Sequence, residues 1–228
     1  MADIYLVRHG QAAFGSGDYD RLTDNGVQQS RWLGEYYAER GITFNTVFSG
    51  SQRRHRETWD ALIEGLPGTP EPRELPGLNE YDFGALIRAT TGAATLQEAI
   101  ARNAEGGRRS IYALLRGALE AWVGGDLDGT VPESWAEFGV RVGAALEQLS
   151  TAAARGHKVL VVCSGGPISR LLGIALDLAD RTTIGLNLQL QNSAYAHLYH
   201  DGETFQLASF NNQPHLDRPE RRPAMSHI

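Results

Sequence analysis

The chain has a single cysteine, Cys163, among its 228 residues. No intrachain disulfide can brace it, and a reducing compartment suits it. It also has no apolar run long enough to span a bilayer. Its first residues, Met1 to Val7, carry acidic Asp3 and stop at Arg8, unlike a cationic leader followed by an apolar stretch. A cytoplasmic location is the expectation. There is no excess of positive charge: 21 Lys and Arg against 27 Asp and Glu leave a formal net charge of -6, which argues against a nucleic-acid or anionic-membrane partner. The seven histidines are scattered singly without metal-ligand spacing, so no metal and no other cofactor is implied. Internal repeats and low-complexity tracts are also absent.

What is present alternates between two periodicities. Asp3 to Val7 reads as a strand. Thr23 caps a helix running to about Arg40, with Val27, Leu33 and Tyr37 at helical spacing and Gly41 as its left-handed stop. Asn45 to Phe48 reads as a second strand, followed by "SGS" and a helix through Thr58 to Leu62. Gly65 to Gly77 is rich in proline and glycine and predicts loop with at most a short extended segment. Two helical patterns flank "EGGRRS" between Thr95 and Val123, and a helical lid is expected over about 85–130. Glu133 to Ala154 predicts a helix whose apolar stripe is Trp135, Phe138, Val142, Leu146 and Leu149. Lys158 to Val162, nearly all apolar, predicts the middle strand of the sheet. "SGGPISRLLGIAL" then opens a helix with Pro167 in its first turn. "SAYAHLYH" and "ETFQLASF" around "DG" predict a hairpin at a sheet edge. The tail from Asn212, with three prolines, is expected to be draped or frayed. The fold class expected is α/β: a three-layer sandwich with a mostly parallel central sheet, helices on both faces and an edge hairpin, in one domain over 1–228.

Ligands of such sheets gather beyond the carboxyl ends of the strands. Arg8 and His9 follow the first strand, Arg53, Arg54 and Arg56 follow the second, and Gly165 and Gly166 follow the central one. Fixed cations, exposed amides and one titratable nitrogen suit a phosphate group. Of the three arginines in "RRHR", only one need point into a pocket; the others are expected in solvent.

The order "LVRHGQA", "LTDNGVQQS", "TVFSGSQRRHRET", "LNEYDFG", "PESWAEFGVRV", "VLVVCSGGPI", "FNNQPHL" resembles the histidine phosphatase superfamily, which includes the cofactor-dependent phosphoglycerate mutases. The likeness runs from Ile4 to Leu216. It implies a phosphoglycerate mutase-like fold and a phosphatase that hydrolyses a small phosphomonoester. His9 resembles the family nucleophile, which carries the phosphoryl group. Arg8 and Arg54 resemble the paired guanidinium groups on the phosphate oxygens. Glu80 resembles the proton donor to the leaving oxygen and then the base toward water, and Gln11 is similar to a polar residue at the pocket mouth. The expected partner is a small phosphorylated substrate or inorganic phosphate, and an edge hairpin permits a homodimer.

The chain departs from that pattern at the central strand. Where the family has serine or threonine, histidine and two glycines, this chain has Cys163, Ser164, Gly165 and Gly166. The second catalytic histidine is thus replaced by Ser164, which keeps one neutral donor on a shorter side chain. Loss of such a transition-state donor typically lowers turnover about 10²- to 10³-fold. The Gly165 and Gly166 amides remain to hold phosphate. His55, His197 and His215 are the candidates for a substitute, yet each reads most simply as an ordinary residue, His55 on a helix face, His197 in the hairpin and His215 in a loop. "GSQ", Gly50 to Gln52, stands where the family often has serine-proline-leucine, which predicts a looser loop before Arg54.

Cys163 sits before a glycine-rich helix start as in cysteine-dependent phosphatases, but six residues, not five, separate it from Arg170. A small buried residue is the simpler reading. Ser164 also supports a rival function, a weakened member of the fold that binds a phosphorylated ligand as a sensor. The arginines of the roof segment, Arg88, Arg102, Arg108, Arg109 and Arg116, are expected to face water unless one meets a second anionic group.

Overall fold

Strand β1 (Ala2–Arg8) sends Ile4 and Leu6 into one apolar cluster and Tyr5 and Val7 into another, as the two-residue period of a strand buried on both faces requires. Strand β4 (Lys158–Cys163) divides in the same way, with Val159 and Val161 on the first side and Leu160 and Val162 on the second. The computed structural model describes residues 1–13, 20–103 and 107–227, and of residues 107–109 the backbone only.

Among the described residues the sheet has six strands. Besides β1 and β4 these are β2 (Thr46–Ser49), the two-residue β3 (Arg73–Glu74), β5 (Tyr195–His200) and β6 (Phe205–Asn212), in the order β3-β2-β4-β1-β5-β6. The first four run parallel, while β5 pairs antiparallel with β1, and β6 with β5, as an edge hairpin. The sheet is therefore mixed, with β4 and β1 at its centre.

Helices cover both faces. Helices α1 (Asp24–Glu39) and α2 (Arg53–Gly65) pack Leu33, Tyr37, Trp59 and Leu62 against one side. Thr23 caps α1 by accepting from the Gly26 amide, and Gly41 ends the turn at φ +62. On the opposite side lie α3 (Phe83–Thr91), α4 (Leu96–Arg102), α5 (Gly107–Val123), α6 (Trp135–Ala152), α7 (Gly165–Ala175) and α8 (Asp180–Gln189), which contribute Leu86, Ala99, Trp122, Phe138, Leu171 and Ile184 to the larger cluster. Ser134 and Glu137 form a reciprocal capping box at the start of α6.

Helix α8 was not expected, and α3 starts two residues ahead of the helical stretch expected over about 85–130. The sequence marks the ends of α3, where Asp82 accepts from the Ala85 amide and Gly92 adopts φ +66. Helix α8 carries Thr182, Thr183, Ile184 and Gly185, all modest or poor helix formers. It is held by its neighbour: a Cβ on Gly173 of α7 would stand 2.6 Å from Thr183 Oγ1. The tail is draped, since Leu216 is buried and the Ala224 carbonyl accepts from Gln29 and Asn25. Among the described residues no helix is long and apolar enough to cross a membrane.

Candidate active site

Because β1 and β4 are parallel and Arg8 pairs with Cys163, the next residues, His9 and Ser164, leave the sheet side by side. The His9 amide donates to the Cys163 carbonyl at 2.9 Å, which extends the ladder by one step. Gly10 follows because nothing larger fits: a Cβ there would lie 2.2 Å from the Gly26 carbonyl oxygen of α1. The Gly10 amide donates to Thr58 Oγ1 at 3.1 Å, and Thr58 in turn donates to the Arg54 carbonyl at 2.7 Å, tying the end of β1 to α2.

His9 is 2% exposed. Its Nδ1 lies 2.7 Å from the Gly10 carbonyl oxygen, which can only accept, so the proton sits on Nδ1 and Nε2 keeps a lone pair. Burial, then Arg54, Arg8 and His55, hold its pKa well below the usual imidazole value. The ring is neutral at physiological pH and nucleophilic at one defined nitrogen.

The three arginines of α2 part ways. Arg53 pairs with Glu57 and Arg56 with Glu74, both on the exposed side, while the Arg54 side chain is 4% exposed and turns inward. Arg54 donates to Asp20 at 2.6 Å, to Gln52 Oε1 at 2.7 Å and to Ser164 Oγ at 3.4 Å. Arg8 donates from Nη1 to the Leu190 carbonyl at the end of α8. A Cβ on Gly165 would stand 3.8 Å from Arg8 Nε, which sets that guanidinium beside the start of α7.

Glu80 enters the same cluster from the loop before α3. Its Oε2 accepts from the Gly166 amide at 3.2 Å, and its own amide donates to Gln52 Oε1 at 3.0 Å. Burial raises its pKa, with Arg54, the Gly166 amide and Arg8 opposing. The carboxyl is thus biased toward holding a proton. Asn187 of α8 donates to the Tyr81 hydroxyl at 2.8 Å and closes the side beyond Gly165.

The structure therefore brings Arg8, His9, Arg54, Glu80, Ser164, Gly165 and Gly166 together. Gln11 stands at the edge, its Oε1 accepting from Thr23 and Asn25. The Gly166 amide is engaged by Glu80, which leaves Gly165 as the less committed of the two amides. The loop before Arg54 is pinned where a looser one was expected: the Ser51 amide donates to Asn79 Oδ1 at 2.8 Å, and Gln52 links Arg54 to Glu80. Asp20, Gln52 and Asn187 were not singled out from sequence. Asp20 and Asn187 are isolated polar residues whose partners lie far along the chain, and Gln52, though two residues from Arg54, gains its role from also bonding the Glu80 amide.

The other histidines separate clearly. His55 was expected on a helix face, yet it is fully buried, with Nε2 2.7 Å from Ser164 Oγ and its ring centroid 5.9 Å from that of His9. His197 pairs with Asp3 and stacks on Tyr5, and His215 is buried against Ser193, whose amide donates to the His9 carbonyl at 3.1 Å. Cys163 is buried at the end of β4, where burial pushes its thiol pKa up and keeps it protonated. In the segment expected to form the roof, Arg102 pairs with Glu98 and Arg116 with Glu120, while the side chains of Arg108 and Arg109 lie outside the described residues. Among the described residues no group of three or more His, Cys, Asp or Glu could hold a metal ion.

The profile of the histidine phosphatase superfamily (branch 1) matches residues 4–213. A 2,3-bisphosphoglycerate-dependent phosphoglycerate mutase of Bradyrhizobium sp. is 35% identical over 92 residues, which cover 36% of this chain and only 44% of that mutase. The mutase of the same name from Allorhizobium ampelinum is 28% identical over 195 residues, 81% of this chain and 84% of its own. Among solved structures, a phosphoserine phosphatase mutant of Entamoeba histolytica in complex with phosphoserine superposes with a TM-score of 0.65 at 20% identity, covering 95% of this chain and 100% of that one. That likeness shows the fold, an α/β sheet flanked by helices. With a family profile spanning most of its length, this chain belongs to the histidine phosphatase superfamily.

Proposed function

We propose that the protein is a phosphatase that hydrolyses a small phosphomonoester through a phosphohistidine on His9. In the first step the Nε2 lone pair forms a bond to phosphorus as the ester P–O bond breaks, and the leaving oxygen takes the proton held by Glu80. In the second, a water oxygen attacks phosphorus, Glu80 receives its proton, and the N–P bond breaks to release inorganic phosphate and neutral His9. Arg8 and Arg54 hold the non-bridging oxygens, with the Gly165 amide and Ser164 hydroxyl as further donors and Gln11 at the mouth. The charge of a loose transition state is met by groups already in place.

The observation that carries this reading is the orientation of His9. Its Nδ1 proton is committed to Gly10, so the nitrogen left basic belongs to the one imidazole flanked by both Arg8 and Arg54. The raised pKa of Glu80 supports the acid role in the first step. No metal, nucleic acid or membrane enters the scheme. The single buried cysteine fits a cytoplasmic setting, and residues 85–130 act as the roof that selects the alcohol part of the substrate.

A second reading is favoured by Ser164, which lacks the charge of the family histidine: a binding protein that senses a phosphorylated ligand. The test is to assay purified protein and His9→Ala on a broad panel of phosphomonoesters, with rapid quench to trap an acid-labile phosphoenzyme. The phosphatase reading expects turnover and a phosphoenzyme in the wild type and neither in His9→Ala, a loss on the order of 10⁴-fold or more. Equal inertness of the two proteins, with phosphate still bound, selects the sensor.

A further inference from the structure

Helix α2 starts against a local rule. Its N-cap is Gln52, in extended backbone at φ -70 and ψ 147, and the side chain makes no capping bond. Serine, threonine, aspartate and asparagine are the residues that cap well. Here the capping comes from outside the helix: Asp20 Oδ2 accepts from the Arg53 amide at 2.9 Å, while Asp20 Oδ1 accepts from Arg54 Nη1 at 2.6 Å. The Gln52 side chain is thereby released from the helix end, and it turns to the cluster.

There it meets two donors. Gln52 Oε1 accepts from Arg54 Nη2 at 2.7 Å and from the Glu80 amide at 3.0 Å. An amide oxygen has two lone pairs, and both are engaged. Because both partners can only donate at these atoms, the side chain turns its oxygen toward them and its nitrogen away. The other acceptor beside Nη2, Ser164 Oγ, stands at 3.4 Å, beyond a good hydrogen bond. One neutral oxygen thus ties Arg54 to the backbone of Glu80. A leucine, which the family often has at this place, offers no such acceptor. The neutrality matters as well. Asp20 already sets one carboxylate against Arg54, so a second at position 52 would offset the positive charge that a phosphate meets there.

We propose that Gln52 is a positioning residue: by bonding Arg54 and the Glu80 amide through one oxygen, it sets the distance between the guanidinium that holds phosphate and the acid that protonates the leaving oxygen. This rests on the phosphatase reading for the roles of Arg54 and Glu80. Gln52 touches no reacting atom and acts through those two residues. Its effect therefore depends on the leaving group. Phenolate is basic and departs with help from the acid, whereas para-nitrophenolate departs readily without it.

The test compares wild type with Gln52→Met, which keeps the side-chain length and loses the strong acceptor, and Gln52→Glu, which keeps the acceptor and adds charge. Steady-state rates are measured on phenyl phosphate and para-nitrophenyl phosphate, and inorganic phosphate binding by calorimetry, with thermal unfolding as a check on folding. Gln52→Met should lower kcat about 10²-fold on phenyl phosphate but only about 10-fold on para-nitrophenyl phosphate, and weaken phosphate binding about 3-fold. Gln52→Glu should keep the wild-type ratio of the two rates, yet raise KM and weaken phosphate binding about 10-fold. A residue that merely braced the loop would slow both esters alike. Equal losses on the two esters in Gln52→Met, or phosphate bound by Gln52→Glu as tightly as by wild type, overturns the proposal. If Gln52→Met does not fold, Gln52→Leu takes its place. A wild type that binds phosphate but is inert toward both esters counts against the phosphatase reading. The phosphate titrations then decide the hold on Arg54: affinity that falls from wild type to Gln52→Met to Gln52→Glu supports it, and equal affinities overturn it.

Discussion

Strands β1 and β4 are neighbours, run parallel and end at the same level, but the two ends are built by different means. The end of β1 is made locally. Arg8, His9 and Gly10 are consecutive, and Gly10 is held against α1 so closely that an added Cβ would meet backbone at 2.2 Å. The end of β4 is made by side chains arriving from elsewhere: His55 from α2 on Ser164, Glu80 from the loop before α3 on Gly166, and Asn187 from α8 beside Gly165. There an added Cβ on Gly166 meets the tip of Glu80, 2.0 Å away, and the Tyr81 ring at 2.4 Å. One half of the cluster is fixed by backbone packing. The other is assembled from contacts distant in sequence, and it is the half that departs from the family pattern.

Substitutions at the two glycines give the sharpest test of this contrast. Gly10→Ala forces backbone apart and should destabilise the fold by about 3 kcal/mol or more, at the upper end of overpacking costs. Gly166→Ala displaces Glu80 and the Tyr81 ring instead, so it should cost less stability and, with Glu80 as the acid proposed above, lower kcat about 10²-fold or more. Urea unfolding and steady-state rates on the two proteins check both. Equal stability losses would break the comparison.

The buried histidines supply the next effect in size. His55 and His215 have pKa values lowered to about 3, and His9 lies well below the ordinary value, in each case with burial the largest cause. The unfolded chain takes up these protons near pH 6.5 while the folded chain stays neutral, so the unfolded state binds more protons below that pH. Stability should fall as pH drops from about 6.5 toward 3, by roughly 2 kcal/mol per histidine at pH 5. Urea midpoints measured across that range check the slope, and His55→Gln should flatten it by about one histidine's share. A midpoint independent of pH would mean that the rings are not held neutral. The smallest effect is expected from Arg56→Ala, which removes an exposed pair with Glu74 on the outer side of α2. Its stability should stay within about 0.5 kcal/mol of wild type and its turnover should not change. A large loss would show that the outward arginines share the inward one's role.

Much of the β1 half was legible in the residues themselves. The strand period, the Thr23 cap, Gly41 and the Arg-His-Gly run are signals within a few positions of one another. The resemblance to the family then set Arg54 and Glu80 beside them. The inward turn of only one of three arginines was legible too, since a helix presents one face to the sheet. Helix α8 was not, because its β-branched and glycine residues favour helix only when α7 holds them. The pinned loop at Gly50 to Gln52 was not either, because its partners Asn79 and Glu80 lie far along the chain.

By itself, then, the sequence determined the alternation of strands and helices, the central place of "KVLVV" and the cation-imidazole pair at the end of β1, because periodicity, caps and close-packing glycines act over short range. Tertiary structure alone decided that His55 is buried and that its partner is Ser164. A helix-face histidine takes its protonation, exposure and bonding from whatever packs against it, and here that is a strand end 109 residues away. The same holds for Glu80, whose proton-holding bias comes from a burial that no local run of residues encodes.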